Sequence, residues 1–405
     1  MTPRFHWAWF ILAASFLTVF ASYSTRLSYG ILMPEMIRTL GITKTEAGGI
    51  ASSFYVAYTI FAPLVGFLSD RVSTRRLIVF FCVIQGVGTV LMATPTSLWQ
   101  ACLFFGIVGV GCSAMWAPVV AMVQRWFGFR RRGAVLGILS ISYAIGYGLM
   151  GLLLPLIVKQ YSWRACWFIL SLLSFALVPV NAFLLRTKPQ DLQIPPWGEE
   201  LHQPAAGELS SPPKHFPYRD LLKLRNLWMG GMAYFFSGFT AYIINIFIVT
   251  YANLELRFPF AQSASLASFI AFSGIPGGLL ILTLSDYLGR KKCLFLINLS
   301  YTAAIGLLIW AGNSWPALTT ASCLYGIVYA ATWPMYAAAG ADFFPPGTTG
   351  SVLGFWTLFF GISLILAPTV GGYIADVAGS FRWSFAAAGG TGVAAAFFVS
   401  RIQKR

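Results

Sequence analysis

Charged side chains are scarce in this chain. Asp, Glu, Lys and Arg make up 10% of its 405 residues, whereas 58% of the residues are hydrophobic. Because a water-soluble domain usually carries about 25% charged residues, this composition excludes a water-soluble fold. A helix needs about 20 apolar residues to cross a bilayer, so twelve spans would use about 240 positions and leave the rest for loops and tails. We therefore predict an all-α membrane protein.

Histidines, paired cysteines and membrane-buried acids are also missing. The three histidines, His6, His202 and His215, lie outside the apolar segments, and no carboxylate lies at mid-depth in one. No dedicated proton relay is therefore visible. The six cysteines form no CxxC pair and nearly all lie in apolar runs, which argues against a disulfide framework or a metal site. No span carries a nucleophile–base pair or HExxH motif, so we expect neither an enzyme nor a cofactor.

Apolar runs between charged or Pro/Gly-rich breaks mark twelve predicted spans. The first set covers residues 9–33, 46–69, 76–95, 97–124, 133–157 and 165–185, and the second covers 227–251, 262–285, 293–311, 315–340, 350–374 and 384–400. The first run has no small-residue cleavage site, and we expect it to be retained as a span. An even number of spans places both termini on one side.

The distribution of Lys and Arg decides which side that is. If both termini are cytoplasmic, 20 of the 27 basic residues lie on the cytoplasmic face, six lie on the opposite face, and Arg26 alone lies within a span. This positive-inside bias predicts cytoplasmic termini. The basic residues form short clusters between spans rather than one polar face, so the net charge of +15 indicates membrane orientation and not nucleic-acid binding.

One polar segment and one internal repeat divide the chain. Residues 187–224 contain seven prolines and five acidic residues, which predicts a cytoplasmic linker with a short surface helix near 218–224. Residues 116–137 match residues 333–354 at one constant offset, aligning Trp116 with Trp333 and Phe127 with Phe344. The predicted organisation is a six-helix bundle over 1–186, the linker over 187–224 and a second six-helix bundle over 225–405. Parallel halves of this kind occur in secondary transporters.

Two loops carry a family resemblance. GFLSDRVSTRR at 66–76 and TLSDYLGRKK at 283–292 resemble the signature loops of the major facilitator superfamily, which implies two bundles that alternately open a midplane site to either side. WFxxRRRGxxxG at 126–137 is similar to a segment of the monocarboxylate transporters and oxalate:formate antiporters. The basic residue of those relatives is absent from spans 262–285 and 350–374, so lactate or oxalate specificity does not carry over.

Arg26 is the most informative position for substrate binding. An arginine deep in a span costs at least about 2.5 kcal/mol unless it faces protein, water or an anion, so we expect it to point inward, with Ser22 and Tyr29 on the same helical face. Its alternative role is structural, by snorkelling or by pairing with Glu35. Aromatic and polar residues at helical spacing in other spans predict a cavity wall, or else helix packing. The predicted substrate-binding residues are Arg26, Ser22, Tyr29, Ser113, Trp116, Tyr143, Tyr147, Tyr234, Tyr242, Asn245, Tyr325, Tyr329 and Trp333.

The paired signature loops predict a gate. Each places an acid at the end of a span next to a basic cluster, and bonds that form in one state and break in another could bias a two-state element. The alternative is that these loops only orient the chain in the membrane. In the repeat, Asp342 of the second half aligns with Arg125 of the first half. An ion pair between the two halves is therefore one open alternative for these residues. The predicted gating residues are Asp70, Arg71, Arg75, Arg76, Arg125, Asp286, Arg290 and Asp342.

These observations favour a secondary active or facilitative transporter of a small organic anion, a mono- or dicarboxylate, in the bacterial inner membrane. Two alternatives stay open: transport of a neutral or amphipathic compound such as a drug or sugar, with Arg26 structural, and a membrane sensor that transports nothing. We expect a monomer that contacts the lipid bilayer and no nucleic acid. Symport, antiport, uniport and proton coupling all stay open.

Overall fold

A computed structural model describes residues 6–128, 131–198, 218–345 and 348–403, without the side chains of Asp70, Tyr218 and Arg219. Its first helices are α1 (Trp7–Leu40), α2 (Lys44–Arg71), α3 (Thr74–Leu91), α4 (Leu98–Cys112), α5 (Ala117–Trp126), α6 (Arg132–Gln160) and α7 (Trp163–Leu184). The later ones are α8 (Tyr218–Lys223), α9 (Arg225–Thr250), α10 (Phe260–Leu288), α11 (Arg290–Ala311), α12 (Trp315–Asp342), α13 (Thr349–Val377) and α14 (Phe381–Ser400). The all-helical prediction is confirmed for these residues.

Eleven helical segments of the described chain are long and apolar enough to cross a bilayer. α4 with α5 forms one of them, and α9 with the π-helical turn Tyr251–Glu255 forms another. The tenth predicted span corresponds to α12, whose 28 residues exceed the length a span needs. Its tyrosines, threonines and tryptophans lower its mean hydropathy, and it is not among the eleven. A twelfth span and cytoplasmic termini stay predictions.

The fourth predicted span is not one continuous α-helix. It breaks at residues 113–116, between α4 and α5, and Pro118 in the first turn of α5 has no backbone N–H to donate. Its repeat counterpart α12 runs unbroken through Pro334. The two halves therefore share a sequence pattern but differ in local helix geometry at this position.

The chain forms two compact units. The first comprises the described residues of 1–41 and 53–207, and the second comprises those of 42–52 and 208–405. In the first unit, α1 packs on α6 and α7, and α3 packs on α4 and α7. In the second, α10 and α11 pack on α12, and α9 packs on α13 and α14. The domain boundaries predicted from the linker stay a prediction, and the placement of residues 42–52 in the second unit is not visible in the sequence.

Residues 42–52 are fixed in the second unit by polar bonds. The Asp376 carboxylate accepts hydrogen bonds from the backbone N–H groups of Lys44 at 3.2 Å and Thr45 at 2.7 Å. It thus caps the first turn of α2, whose N–H groups have no partner within the helix. The Lys44 ammonium lies 2.8 Å from the Glu255 carboxylate, which also accepts from the Ser380 hydroxyl at 2.7 Å.

Close helix contact in the first unit depends on Gly109. A β-carbon there would lie 2.3 Å from the Phe54 carbonyl oxygen, whereas one at Gly106, a turn earlier in α4, would lie 3.8 Å from its nearest neighbour. Since overpacking costs about 1–3 kcal/mol, we expect Gly109→Ala to lower the melting temperature of the purified protein by several degrees. Gly106→Ala is the matched control, since both substitutions gain the same helix propensity. Equal melting temperatures for the two variants would contradict this close packing.

The start of the predicted linker is folded onto the first unit. Residues Pro189–Leu192 form a 3-10 turn, and the Trp197 backbone pairs with the end of α5 through a β-bridge to Phe127. The Trp197 ring lies 4.8 Å from the Trp9 ring, and the Arg131 guanidinium carbon lies 4.0 Å from its centroid. The prediction of a linker from residue 187 therefore misses a docked segment that extends to residue 198. The short helix predicted near 218–224 is confirmed by α8.

Candidate functional site

Arg26 lies deep within the first unit. It is the twentieth of 34 residues in α1, about 28 Å along the helix at about 1.5 Å per residue. Only 7% of its surface is exposed. Its neighbours in α1 are uncharged, and the helix has no other charged side chain before Glu35. The inward orientation predicted for this guanidinium is therefore what the structure shows.

Four aromatic rings surround the guanidinium of Arg26. Its central carbon lies 5.5 Å from the centroid of Tyr23, 5.7 Å from Phe54, 4.9 Å from Tyr55 and 5.4 Å from Tyr58. Ring faces carry partial negative charge and attract a cation within about 6 Å, by up to about 2 kcal/mol when desolvated. We call these four residues the aromatic cage. It stabilises a charged arginine inside an apolar bundle.

Three members of the aromatic cage come from α2. Phe54, Tyr55 and Tyr58 are spaced one and three residues apart, which places them along one side of that helix. None of the three is among the residues predicted from the sequence, although their spacing in the run 52–58 is a usable signal. The spacing alone does not show that these rings lie against Arg26 of α1, because that contact depends on the fold.

Two of the predicted partners of Arg26 are packed into the bundle. Tyr29 is fully buried, and its ring stacks on Phe105 with centroids 4.7 Å apart. Ser22 is also buried, next to the Cys112 thiol. The predicted alternative for Arg26, a pair with Glu35, is disfavoured because the Glu35 carboxylate lies 2.7 Å from the Arg38 guanidinium.

The aromatic cage continues into a wider polar-aromatic surface within the first unit. The Tyr23 ring lies 6.2 Å from Trp116 and 5.4 Å from Tyr143, and all three side chains are half-buried. The structure therefore brings these two predicted residues together with Arg26 through Tyr23. By contrast, Tyr147 is buried in the core of the unit, and the Ser113 hydroxyl donates to the Val110 carbonyl oxygen at 2.6 Å.

A second aromatic surface lies in the second unit. The Tyr234 ring lies 4.4 Å from Tyr336 and 4.9 Å from Phe360, and Trp333 lies 4.3 Å from Phe360. Tyr242 lies 6.5 Å from Trp333. Phe360, on α13, is at the centre of this surface and was not predicted from the sequence. Its residues are Tyr234, Tyr242, Tyr329, Trp333, Tyr336 and Phe360.

Other predicted residues of the second unit belong to buried hydrogen-bond networks. The Tyr325 hydroxyl donates to the Ala241 carbonyl oxygen at 2.8 Å and accepts from the Asn245 amide at 3.0 Å. The Ser237 hydroxyl donates to Asn298 at 2.6 Å and lies 2.8 Å from the Tyr336 hydroxyl. These bonds satisfy polar groups inside an apolar bundle, where an unmade bond is costly.

The network around Ser237 gives a stability prediction. Since a buried hydrogen bond contributes about 0.5–1.5 kcal/mol, we expect Tyr336→Phe to lower the free energy of unfolding by about that amount while leaving the ring contact to Tyr234 intact. Thermal unfolding of the purified protein measures the change. Tyr373→Phe, at an exposed side chain, is the control. An unchanged melting temperature for Tyr336→Phe would show that this bond contributes nothing.

The predicted gating residues of the second unit form an ion-pair cluster. One Arg290 nitrogen lies 2.5 Å from the Asp286 carboxylate, and its Nε lies 3.5 Å from the Asp342 carboxylate. Asp342, for which an ion pair between the halves was left open, is thus paired within its own unit. The adjacent Lys291 ammonium donates to the Ile402 carbonyl oxygen at 2.5 Å.

The first unit shows a related arrangement. The Arg75 guanidinium donates to the Ala182 carbonyl oxygen near the end of α7. Lys291 donates in a similar way to the Ile402 carbonyl oxygen, just beyond the end of α14. Arg71 lies over the Phe67 ring at 4.0 Å, and Arg76 and Arg125 are exposed. The side chain of Asp70 lies outside the described residues. The gating role of all eight residues stays a prediction.

No cluster of three or more metal-ligating His, Cys, Asp or Glu side chains occurs in the described parts of the chain. The charged and polar groups of the candidate site are the caged arginine, its surrounding phenol and indole groups, and the Arg290 cluster. Groups of these types are suited to binding and positioning charge.

Long apolar helices, a duplicated acid–base loop and a deeply buried cation are typical of repeat-built membrane transporters. It belongs to the Major Facilitator Superfamily, whose family model matches residues 14–311 and 232–404. This confirms the resemblance predicted from the loops at 66–76 and 283–292. The chain is therefore a multi-pass membrane protein of a transporter family.

Several curated relatives are similar along most of the chain. A hexuronate transporter of Bacillus subtilis (strain 168) is 24% identical over 405 residues, covering 96% of this chain and 93% of that protein. A probable hexose phosphate transport protein of Chlamydia trachomatis serovar D is 26% identical over 303 residues, covering 71% of this chain and 66% of that protein. Monocarboxylate transporter 12 of Rattus norvegicus is 23% identical and covers 95% and 82%, which confirms the similarity predicted to that branch.

Two further similarities concern the sensor alternative and the fold. Membrane sensor protein UhpC of Escherichia coli (strain K12) is 23% identical over 397 residues, covering 94% of this chain and 88% of that protein. The crystal structure of a bacterial homolog of the human lysosomal transporter Spinster, in an inward-facing and occupied conformation, has a TM-score of 0.79. It is 14% identical and covers 99% of this chain and 98% of its own, which shows a shared fold.

Proposed function

We propose that this protein is a secondary active or facilitative transporter of a small organic anion, a mono- or dicarboxylate, that works by alternating access. The observation that carries the proposal is Arg26, a cation only 7% exposed in the middle third of a long membrane helix. Placing such a charge in a span costs at least about 2.5 kcal/mol. The aromatic cage stabilises the charged guanidinium, which suits it to bind an anion in an apolar surrounding.

The geometry around Arg26 favours a carboxylate with an organic body. A guanidinium offers N–H donors in one plane, which match the two oxygens of a carboxylate. The half-buried phenol of Tyr23 and Tyr143 and the indole of Trp116 supply apolar surface with polar edges beside it. Sites for small molecules combine an apolar lining with a few placed polar groups in this way.

The relatives support an anionic substrate. Hexuronates and monocarboxylates carry a carboxylate at neutral pH, and hexose phosphates carry a phosphate, so the three relatives named above for these solutes share negative charge as the common feature. Identities of 23–26% do not transfer a particular solute. They support the charge class that Arg26 indicates.

The finer architecture follows from the sequence. We infer twelve spans, with α12 as the tenth, and cytoplasmic termini from the 20 to 6 distribution of Lys and Arg. We further propose a bacterial inner-membrane location, a monomer, and two six-helix bundles over 1–186 and 225–405. Access of externally added thiol reagents to single cysteines introduced near residues 44 and 72 tests the orientation, because the proposed topology exposes only the first to the outside.

Uptake into proteoliposomes tests the function. Reconstituted protein is given radiolabelled glucuronate, lactate and glucose 6-phosphate, with neutral glucose for comparison. We expect saturable uptake and counterflow of at least one anion and none of glucose. Saturable uptake of glucose alone would instead support the neutral-compound alternative, with Arg26 structural.

The sensor alternative has one specific observation in its favour, the similarity to a membrane sensor protein over 94% of the chain. Counterflow distinguishes the two, because it requires that solute cross the membrane. If all three anions raise the melting temperature of the protein by mass action but none shows counterflow, the sensor assignment replaces transport.

A further inference from the structure

A cavity of about 460 Å³ lies in the second unit where α11 begins and α14 ends. Its lining consists of Lys291, Lys292, Phe295, Leu296 and Ser400. It is remote in sequence from the aromatic cage and plays no part in the proposed substrate site. Cationic and apolar groups thus meet in one recess.

The position of the two lysines follows from the helix boundary. α11 begins at Arg290, so Lys291 and Lys292 lie in its first turn. The Lys291 ammonium reaches across to the Ile402 carbonyl oxygen just beyond α14, and the Lys292 side chain is exposed. Arg401, the residue after α14, lies with its guanidinium carbon 4.9 Å from the Phe397 ring.

The acids at the ends of α10 and α12 pair with Arg290 rather than with these lysines. The Asp286 carboxylate lies 2.5 Å from Arg290, and Asp342 lies 3.5 Å from the same guanidinium. Arg290 is therefore the shared partner of both carboxylates. Within the described residues, Lys291, Lys292 and Arg401 form no ion pair, so their positive charge can attract an anion from outside the protein.

Apolar side chains extend from the lysines along the outer surface of the same helices. Leu296 is 50% exposed on α11, and Phe397 and Val393 are 51% and 49% exposed on α14. Leu296 follows Lys292 by four residues, which places it about one helical turn deeper on the same side. Exposed apolar surface on a membrane-spanning helix contacts lipid acyl chains.

We propose that this recess, the α11–α14 groove, binds the headgroup of an anionic phospholipid, with an acyl chain along Leu296 and Phe397. Basic residues at the membrane boundary attract anionic lipids by about 1 kcal/mol each, and a phosphate accepts from several ammonium groups at once. A free phosphate would leave the apolar half of the groove without a partner, whereas a phospholipid fills both parts. The inference is independent of which solute the protein carries.

The repeat places a related basic cluster in the first half. Residues 69–76 match 285–292 at a single offset, so Arg75 and Arg76 correspond to Lys291 and Lys292. Arg75 donates to the Ala182 carbonyl oxygen, in the way that Lys291 donates to Ile402. The first half also brings a third cation to this end, because the Arg186 guanidinium donates to the Phe183 carbonyl oxygen at 2.8 Å, next to Ala182.

Native mass spectrometry of the full chain in detergent tests the proposal, with dioleoyl-phosphatidylglycerol and dioleoyl-phosphatidylcholine as probes. We expect phosphatidylglycerol to bind preferentially and Lys291→Gln/Lys292→Gln to weaken its binding about 30-fold, which corresponds to about 2 kcal/mol at about 1 kcal/mol for each lysine. Lys291→Arg/Lys292→Arg keeps the charge and should retain binding. Lys159→Gln/Lys223→Gln, at exposed lysines on α6 and α8, is the charge-matched control.

Two results would overturn the proposal. The first is equal binding of phosphatidylglycerol and phosphatidylcholine by the unchanged protein. The second is an equal loss of phosphatidylglycerol binding in Lys159→Gln/Lys223→Gln and in Lys291→Gln/Lys292→Gln, which would reduce the effect to net charge. If the double variant does not fold, Lys292→Gln alone serves, because that side chain is exposed, with an expected loss of about 5-fold for about 1 kcal/mol; unchanged binding in it would equally overturn the site.

Discussion

Replacing Arg26 by alanine should lower kcat/KM for the transported anion by at least about 100-fold, because a charge-assisted bidentate pair in an apolar site contributes about 3 kcal/mol or more. The four rings of the aromatic cage hold the guanidinium in place. Removing the guanidinium therefore also takes away the cation that lies between these rings. Initial rates of uptake into proteoliposomes at several anion concentrations measure the loss.

The matched variants separate charge from geometry. Arg26→Lys keeps the charge but loses the planar fork of donors, and we expect partial activity, with a raised KM. Arg38→Ala is the control, since Arg38 pairs with Glu35 at a side chain that is 48% exposed. Melting temperatures of all variants show which of them fold. Unchanged anion transport in a folded Arg26→Ala protein would remove the basis of the anion assignment.

Arg290→Ala should lower the maximal transport rate about 10-fold or more, equivalent to at least about 1.4 kcal/mol on the rate-limiting step. The substitution leaves Asp286 and Asp342 without their shared cation, so two carboxylates repel at the end of α10 and α12. Since both carboxylates are more than half exposed, the loss of stability is small, and the main effect falls on the conformational step. Uptake rates at saturating anion concentration measure it.

Two comparisons distinguish a gate from a purely topological role. Lys223→Ala removes a cation from an exposed pair with Asp220 and should leave the rate unchanged. Arg290→Lys should recover part of the rate because the charge remains. If Arg290→Ala lowers the amount of correctly oriented protein in the membrane but not the rate per oriented molecule, Arg290 serves membrane orientation and not gating.

Much of the fold was predictable from the sequence because the bilayer imposes one rule on every span. Every backbone N–H and C=O in the hydrocarbon must bond within the chain, which makes long apolar runs into helices. The positions of glycine and proline were less useful for predicting the local helix geometry. The break at 113–116 was not predicted, since the neighbouring proline, Pro118, resembles the proline of an unbroken helix, Pro334, in the repeat.

The candidate site was predictable only in part. Arg26 stood out because charge inside a span is costly, and that cost can be read from one helix alone. The aromatic cage was missed because Phe54, Tyr55 and Tyr58 acquire their role through the pairing of α2 with α1. Tyr325 and Asn245 were predicted as substrate contacts, whereas the structure shows a hydrogen bond between them. Their positions in the sequence do not distinguish a substrate contact from a hydrogen bond between helices.

The weak hydropathy of α12 has a consequence for how the protein is made. A segment with this many phenol, indole and hydroxyl groups partitions poorly into lipid on its own during synthesis. α12 packs most extensively against α10 and α11, which leave the ribosome before it. It also forms hydrogen bonds with Tyr301 on α11 and Ser237 on α9. In the twelve-span arrangement, we therefore expect α12 to insert into the bilayer by packing on helices that are already there. The second aromatic surface then forms only when that insertion is complete.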